Sequence, residues 1–99
     1  MARFDLHAGL GDGKGYVVNV QADLLDSLAT RVVVPLMPRA SVKVIRDLNP
    51  IVRIEDMDYI VMTQELAAVP RSSLRRAIGS LAEWRDEITR ALDVLLIGF

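Results

Sequence analysis

The sequence has no cysteine and one histidine, His7, among its 99 residues. A chain without cysteine forms no disulfide, no cysteine-based zinc site and no thiol nucleophile. A single histidine with no HExxH spacing argues against metal chemistry, so we expect neither a metal site nor a cofactor. No serine or cysteine motif surrounds His7, and we interpret it as a solvated residue of a strand rather than as a catalytic base.

The chain also lacks an excess of charge of one sign and a long apolar run. Lys and Arg number 12, Asp and Glu number 13, and the net charge is −1, which gives no global support for binding bare nucleic acid. No apolar stretch approaches the roughly 18 residues of a membrane span. The first ten residues lack the apolar run with basic flanks of a signal peptide. We therefore expect a cytoplasmic protein without a membrane segment.

Apolar residues are abundant, at 52% of the chain, and the mean hydropathy is +0.29. The length suits a single domain over residues 1–99, but a domain this small leaves much of its apolar surface in water. The surplus therefore indicates either an unusually rich core or an apolar face that is buried against another chain. We favour a homodimer over a well-filled monomer.

The first part of the chain has the pattern of a β-hairpin. Apolar residues alternate over residues 4–8, and β-forming residues fill 16–20, with a glycine-rich stretch between them. A phosphate-binding P-loop would need a glycine at position 8, a serine or threonine at position 15 and a helix behind it. Ala8 and Gly15 stand there instead, and a strand follows, so we interpret residues 9–15 as a flexible hairpin loop.

Further short strands follow. A valine-rich strand is predicted over residues 30–34, before the first of two prolines, and a second hairpin is predicted from the runs 51–54 and 57–62. Residues 71–78 allow a short helical turn that Gly79 would end. The sequence thus predicts a mainly β domain.

Two local groupings of charge have alternative interpretations. Asp23 and Asp26 bracket a pair of leucines, and we interpret them as loop-capping residues rather than as an acid–base pair. Arg71, Arg75 and Arg76 form a basic cluster. We favour a solvated face for this cluster over a contact with phosphate or an acidic partner. Nothing in the sequence forms a persuasive active site, and no catalytic residue is assigned.

The last segment predicts one long amphipathic helix. Ser80 and Glu83 have the spacing of a capping box at its start, and Gly98 is well placed as the glycine that ends it. One face carries an apolar stripe that we assign to the core: Leu81, Trp84, Ile88, Leu92 and Leu95.

The end of this helix is apolar all round. Val94, Leu96, Ile97 and Phe99 add apolar side chains beyond the stripe, and one helix face cannot bury them all. Burial of a large apolar side chain contributes roughly 1.5–3 kcal/mol. A partner surface is therefore the simplest explanation for this ending.

Several segments, in order along nearly the whole chain, resemble the CcdB toxins of bacterial toxin–antitoxin pairs. The pattern V-Q-x-D-[LI]-[LI]-D followed by V-x-P-L carries most of the resemblance. The segments concerned are residues 20–26, 31–36, 48–54, 62–64 and 69–70, with the apolar-Gly-apolar ending.

The resemblance implies both a fold and a function. The fold is α+β and mainly β, a small SH3-like antiparallel barrel or sheet with a minor sheet and one long C-terminal helix. The function is that of a homodimeric, non-enzymatic toxin that binds the A subunit of DNA gyrase and traps gyrase on cleaved DNA. A cognate antitoxin neutralises such a toxin, and only the complex of the two binds operator DNA.

The resemblance also implies a gyrase-binding site, at the early loop and the end of the helix. Carried over to this chain, its residues are Leu24, Leu25, Asp93, Ile97, Gly98 and Phe99. Two departures stand out: the family pattern ends Trp-Gly-Ile where this chain ends Ile97-Gly98-Phe99, and Asp93 replaces an expected Asn. Two other functions stay open, a MazF-like endoribonuclease toxin and a non-killing homologue that only dimerises and binds antitoxin.

Overall fold

A computed structural model describes residues 2–10 and 15–99. Part of the predicted glycine loop, residues 11–14, lies outside the described residues. The described part contains seven strands and one α-helix: β1 Asp5–Ala8, β2 Tyr16–Asn19, β3 Thr30–Pro38, β4 Ile51–Ile54, β5 Met57–Val61, β6 Ala67–Pro70, β7 Ala77–Ser80 and α1 Arg85–Leu96.

All strand pairs are antiparallel, and the order across the sheet is β4-β5-β3-β2-β1-β7. The nine-residue strand β3 organises this sheet. Its first half pairs with β6, from Thr30 opposite Pro70 to Val33 opposite Ala67, and its last residues pair with β5. Both predicted hairpins, β1–β2 and β4–β5, are confirmed.

The core lies between the inner face of the curled sheet and α1. Val18, Val34 and Val61 are fully buried there, and Ile88 of the helix is 1% exposed. Directly paired residues share a face, so Leu6, Val18 and Val34 form one apolar row. These observations confirm the predicted α+β, mainly β fold, with an antiparallel curled sheet and a C-terminal helix.

The start of the helix differs from the prediction. Ser80 still pairs with Asp5 as part of β7, and its hydroxyl accepts a hydrogen bond from the Ala82 amide at 3.1 Å. A 3₁₀ turn follows at Ala82–Trp84, and neither this turn nor α1, which begins at Arg85, has a side-chain cap. The predicted capping box is therefore wrong, because pairing with β1 holds Ser80 in the sheet.

The predicted helical stripe is confirmed at its centre. Ile88 and Leu92 are buried, whereas Trp84 is half-buried and packs against the core from its edge. Leu95 is also half-buried. No helix in the described residues is long and apolar enough to span a membrane.

The interpretation of His7 as a solvated residue is wrong. The side chain is 1% exposed, and its Nδ1 lies 2.6 Å from the carbonyl oxygen of Arg75. The predicted helical turn over residues 71–78 is shorter, a 3₁₀ turn at Arg71–Ser73, and the chain then forms β7. Since β7 pairs with β1 and places Ala77 opposite His7, this segment covers the imidazole.

Candidate partner-binding site

Three leucines are exposed on the loop between β2 and β3, here called the leucine loop (residues 22–29). Leu24 and Leu25 lie in a 3₁₀ turn over Asp23–Leu25, and Leu28 follows one turn later. Their exposed fractions are 90%, 45% and 47%. Two backbone hydrogen bonds form the turns of this loop. The Leu25 amide donates to the Ala22 carbonyl, and the Leu28 amide donates to the Leu25 carbonyl.

The buried guanidinium of Arg31 holds this exposed loop in place. Arg31 belongs to β3 and is 1% exposed. Its Nη1 donates to the carbonyls of Leu28 at 2.7 Å and Thr30 at 2.8 Å. Its Nη2 donates to the Asp26 carbonyl at 2.6 Å and to Asp26 Oδ1 at 2.8 Å. A charged donor with four acceptors strongly restrains the backbone that carries the leucines.

A second buried side chain, Gln21, connects the loop to the sheet. Its Nε2 donates to the Leu25 carbonyl at 3.0 Å, and its Oε1 accepts from the Val32 amide at 3.0 Å. On the other side, the Arg3 amide donates to Asp23 Oδ1 at 2.7 Å. Asp23 thus fastens the loop to the start of the chain, and its predicted role as a cap of its own turn is wrong, because this turn has no side-chain cap. The leucines are exposed on a loop that is tied down at three points.

The helix end is defined by a C-terminal glycine motif. The amide of Gly98 donates to the carbonyls of Asp93 and Val94 at 3.0 and 3.1 Å, and Gly98 has a φ of +94°. Its predicted role as the helix-ending glycine is confirmed. The apolar residues around it are exposed: 68% for Leu96, 60% for Ile97 and 85% for Phe99.

Two adjoining cavities relate the leucine loop to the helix end. The first, of about 450 Å³, is lined by Leu25 of the loop and by Asp93 and Leu96 of α1. The second, of about 410 Å³, is lined by Asp93, Phe99 and Arg3. Arg3, Thr89 and Asp93 line both, so the two cavities adjoin, and together they are referred to as the groove.

Among the six residues predicted for the site, the groove brings together Leu25, Asp93 and Phe99. Leu24, Ile97 and Gly98 are exposed but line neither cavity. The structure adds residues that sequence reasoning missed, Arg3, Gln21, Leu28 and Arg31, and it places Leu96, already noted as a surplus apolar residue, in the groove. One signal for Arg31 was available in the sequence. Arg31 is a charged residue directly before seven uncharged residues, 32–38, that continue the same predicted strand.

The chemistry of this groove suits a protein partner. The cavity at the loop is lined mostly by apolar residues, whereas the cavity at the helix end also carries two carboxylates and three guanidiniums, from Asp86, Asp93, Arg3, Arg85 and Arg90. The buried side chain of His7 lines neither cavity. In the described residues, no group of three or more His, Cys, Asp or Glu is placed to hold a metal ion. An exposed apolar surface of this kind, rimmed by polar residues, is typical of an interaction site.

A comparison with models of protein families identifies the family of this chain. The model of the family described as CcdB protein matches residues 3–98. The chain belongs to the CcdB family. The family expected from the sequence resemblance is therefore confirmed over nearly the whole length.

The fold of this CcdB-family chain is shared with solved toxin structures. The Mycobacterium tuberculosis toxin MazF-mt6 has a TM-score of 0.74 and 18% identity, over 90% of this chain and 92% of that one. An endoribonuclease in complex with its cognate antitoxin, from a mycobacterial species, has a TM-score of 0.77 and 16% identity, over 100% and 96% of the two chains. At these identities the likeness concerns the fold alone.

Proposed function

We propose that this CcdB-family protein is the toxin of a toxin–antitoxin pair, that it binds the A subunit of DNA gyrase, and that it traps gyrase on cleaved DNA. The observation that carries the proposal is the pairing of an exposed leucine loop with an exposed helix end along one groove. The proposed contact residues are Leu24, Leu25, Asp93, Ile97, Gly98 and Phe99, with Leu28 and Leu96 added from the groove.

The energetics support a binding role for these side chains. A folded domain gains nothing from keeping Leu24 or Phe99 in water, yet Arg31 and Gln21 hold the loop in that position. A few side chains near the centre of an interface usually dominate its binding energy, at about 2 kcal/mol or more each. A preorganised loop avoids much of the ordering cost of binding.

We also propose a homodimer, whose two-fold axis would present the groove twice to a symmetric partner. The surplus of apolar residues and the exposure of the helix end support it. In the same proposal a cognate antitoxin neutralises the toxin in the cytoplasm, as the related endoribonuclease is held by its own antitoxin. Operator DNA would be bound only through that complex.

We favour a non-enzymatic mechanism because the chain belongs to the CcdB family. Metal-free RNA cleavage needs an acid–base pair and a cation around one phosphate. His7 is buried against the Arg75 carbonyl, and the Arg31 guanidinium is engaged by the leucine loop. RNA cleavage by a MazF-like activity and a non-killing role are the competing functions.

The test incubates the purified protein with gyrase, supercoiled plasmid and ATP, and separately with single-stranded RNA. Linear plasmid DNA that is covalently linked to protein is the expected product, and intact RNA is expected in parallel. A variant lacking Ile97 to Phe99, and Leu24→Ala, should fold normally and lose this effect. Met57→Ala is the matched control, because Met57 is 57% exposed on the distant β4–β5 hairpin.

Each other outcome identifies a competing function. Cleaved RNA with unaffected gyrase would establish an endoribonuclease. If the protein affects neither gyrase nor RNA, the role of a non-killing homologue is the function that remains. If the truncated variant traps gyrase as well as the full chain does, the contact residues are wrong even though the activity stands.

A further inference from the structure

A second surface, distant in sequence from the gyrase groove, contains three arginines and an isoleucine. Arg71, Arg75 and Arg76 are all exposed, and no Asp or Glu occurs between Glu65 and Glu83. In the described part of the chain, none of these three side chains takes part in an ion pair. The three guanidiniums attract anions. Arg71 Nη1 also donates to the Asp26 carbonyl of the leucine loop at 3.4 Å, and Glu55 and Glu83 line the cavity that adjoins Ile78.

The backbone under these arginines is fixed. The carbonyl of Arg75 contacts Nδ1 of the buried His7 at 2.6 Å. The Arg71 amide donates to the Ala29 carbonyl at 2.8 Å, and the Leu74 amide donates to the Arg71 carbonyl at 3.2 Å. The positive charges are therefore displayed from an ordered backbone, which lowers the ordering cost of binding.

The apolar part of the surface comes from a β-bulge. Strand β7 pairs with β1 through Gly79 opposite Leu6 and Ala77 opposite His7, so Ile78 is the extra residue. Its side chain is 58% exposed and lines the gap between β7 and the far edge strand β4, where a cavity of about 240 Å³ opens. The bulge thus leaves a large apolar side chain exposed two residues after Arg76 in the chain.

We propose that the surface formed by Arg71, Arg75, Arg76 and Ile78 is the docking site for an acidic, partly apolar peptide segment of the cognate antitoxin. This assignment of the source rests on the proposed function. Carboxylates of the segment pair with the arginines, since guanidinium binds carboxylate in a bidentate manner. An apolar side chain of the segment contacts Ile78 and enters the adjoining gap.

The observations favour a peptide over the other partners of a basic surface. A DNA backbone would use the arginines but gain nothing from Ile78, and the chain as a whole is slightly acidic. A second copy adding its own strand to β7 is opposed by the bulge, which disrupts the regular edge that strand addition needs.

The test measures binding to the full chain by fluorescence anisotropy, with no gyrase present. The probes are a labelled peptide of about eight residues with alternating glutamate and leucine, its lysine–leucine counterpart, and a short DNA duplex. The acidic peptide should bind, and its affinity should fall at least about tenfold in the double variant Arg75→Glu, Arg76→Glu. Ile78→Asp should weaken it by a similar factor.

Arg46→Glu is the matched control, because Arg46 is an exposed arginine in the distant segment between β3 and β4. It should leave peptide binding unchanged, and all variants should keep the melting temperature within about 2 °C, as surface substitutions usually do. An equal loss of peptide affinity in Arg46→Glu would show that the attraction is nonspecific and would overturn the proposal. So would absence of peptide binding, tighter binding of the duplex, or a shift of oligomeric state in Ile78→Asp.

The same variants separate this proposal from the gyrase proposal. Arg75→Glu, Arg76→Glu should trap gyrase as the parent chain does, because the gyrase groove contains neither residue. Loss of peptide binding with intact trapping supports both proposals. Intact peptide binding in a chain that never traps gyrase would refute only the gyrase function.

Discussion

Replacing Arg31 should loosen the leucine loop while the rest of the fold survives. The substitution Arg31→Met keeps a long apolar stem in the buried position and removes every donor. Four acceptors then lose the hydrogen bond that Arg31 donates: the carbonyls of Asp26, Leu28 and Thr30, and Asp26 Oδ1. Hydrogen bonds to a charged group contribute about 1.5–3 kcal/mol each, but not additively.

Solvent access to the released acceptors limits the loss of stability in Arg31→Met. The Asp26 side chain is 52% exposed, so water can replace its lost partner, and the residues that carry the three carbonyls have exposed side chains. We therefore expect a loss of about 3 kcal/mol, the lower end of what breaking a buried pair costs. For a domain of this size that corresponds to a fall in melting temperature of roughly 12–24 °C. A total stability of about 5–15 kcal/mol still leaves the chain folded.

Two measurements test this reasoning. Thermal unfolding gives the global loss, and amide hydrogen exchange at Leu25 and Leu28 reports whether the loss is centred on the loop. Arg53→Met is the control, because the Arg53 side chain is 61% exposed and its 3.4 Å ion pair with Asp58 lies at the surface, worth less than about 1 kcal/mol. If both substitutions lower the melting temperature equally, or if exchange in the loop is unchanged, Arg31 does not hold the loop.

Three further predictions concern the helix and the sheet. Gly98→Ala should lower the free energy of unfolding by about 1 kcal/mol, because alanine is strained at a φ of +94°. The strain lies in the backbone, since the added methyl group meets open space. A loss below the error of denaturant titration would contradict this. Ile88→Ala should cost about 2–5 kcal/mol, because Ile88 is 1% exposed in the core; thermal unfolding measures it, and a loss near zero would mean that α1 is not packed on the sheet. Burial, and then the neighbouring Tyr59, raise the pKa of Tyr16 above its ordinary value of 10.0. The neutral phenol is thus favoured in the folded chain, and the stabilisation it contributes below pH 10 should be lost as pH rises through the raised pKa. Tyr16→Phe should flatten this alkaline loss of stability in melts across that pH range, and an unchanged slope would contradict the assignment.

Much of the secondary structure could be predicted from local pattern. Alternation placed the two hairpins, and the spacing of Ile88 and Leu92 placed the buried face of the helix. Gly98 marked the helix end, since a left-handed residue there favours glycine. These signals depend on neighbours within a few residues, so the sequence carries them directly.

The predictions that failed depend on contacts between distant parts of the chain. The buried imidazole of His7 contacts the carbonyl of Arg75, which lies 68 residues away in sequence. Ser80 does not cap α1, because β1 still holds it as a strand residue. The role of Arg31 was missed for a different reason: its acceptors lie within five residues, but the sequence does not show that the loop folds back to place them around the guanidinium.

The sequence by itself determined the family, the mainly β class and the two apolar segments, the leucine pair and the helix end. Periodicity and motif spacing follow from local geometry, and a surplus of apolar residues at a chain end is evident without coordinates. Only the tertiary structure decided that Leu25 and Asp93 line one cavity, and that Arg31 and Gln21 fix the loop beside it. Residues that are distant in sequence become neighbours only when the strand order is set, because long-range pairing and not local preference determines that order.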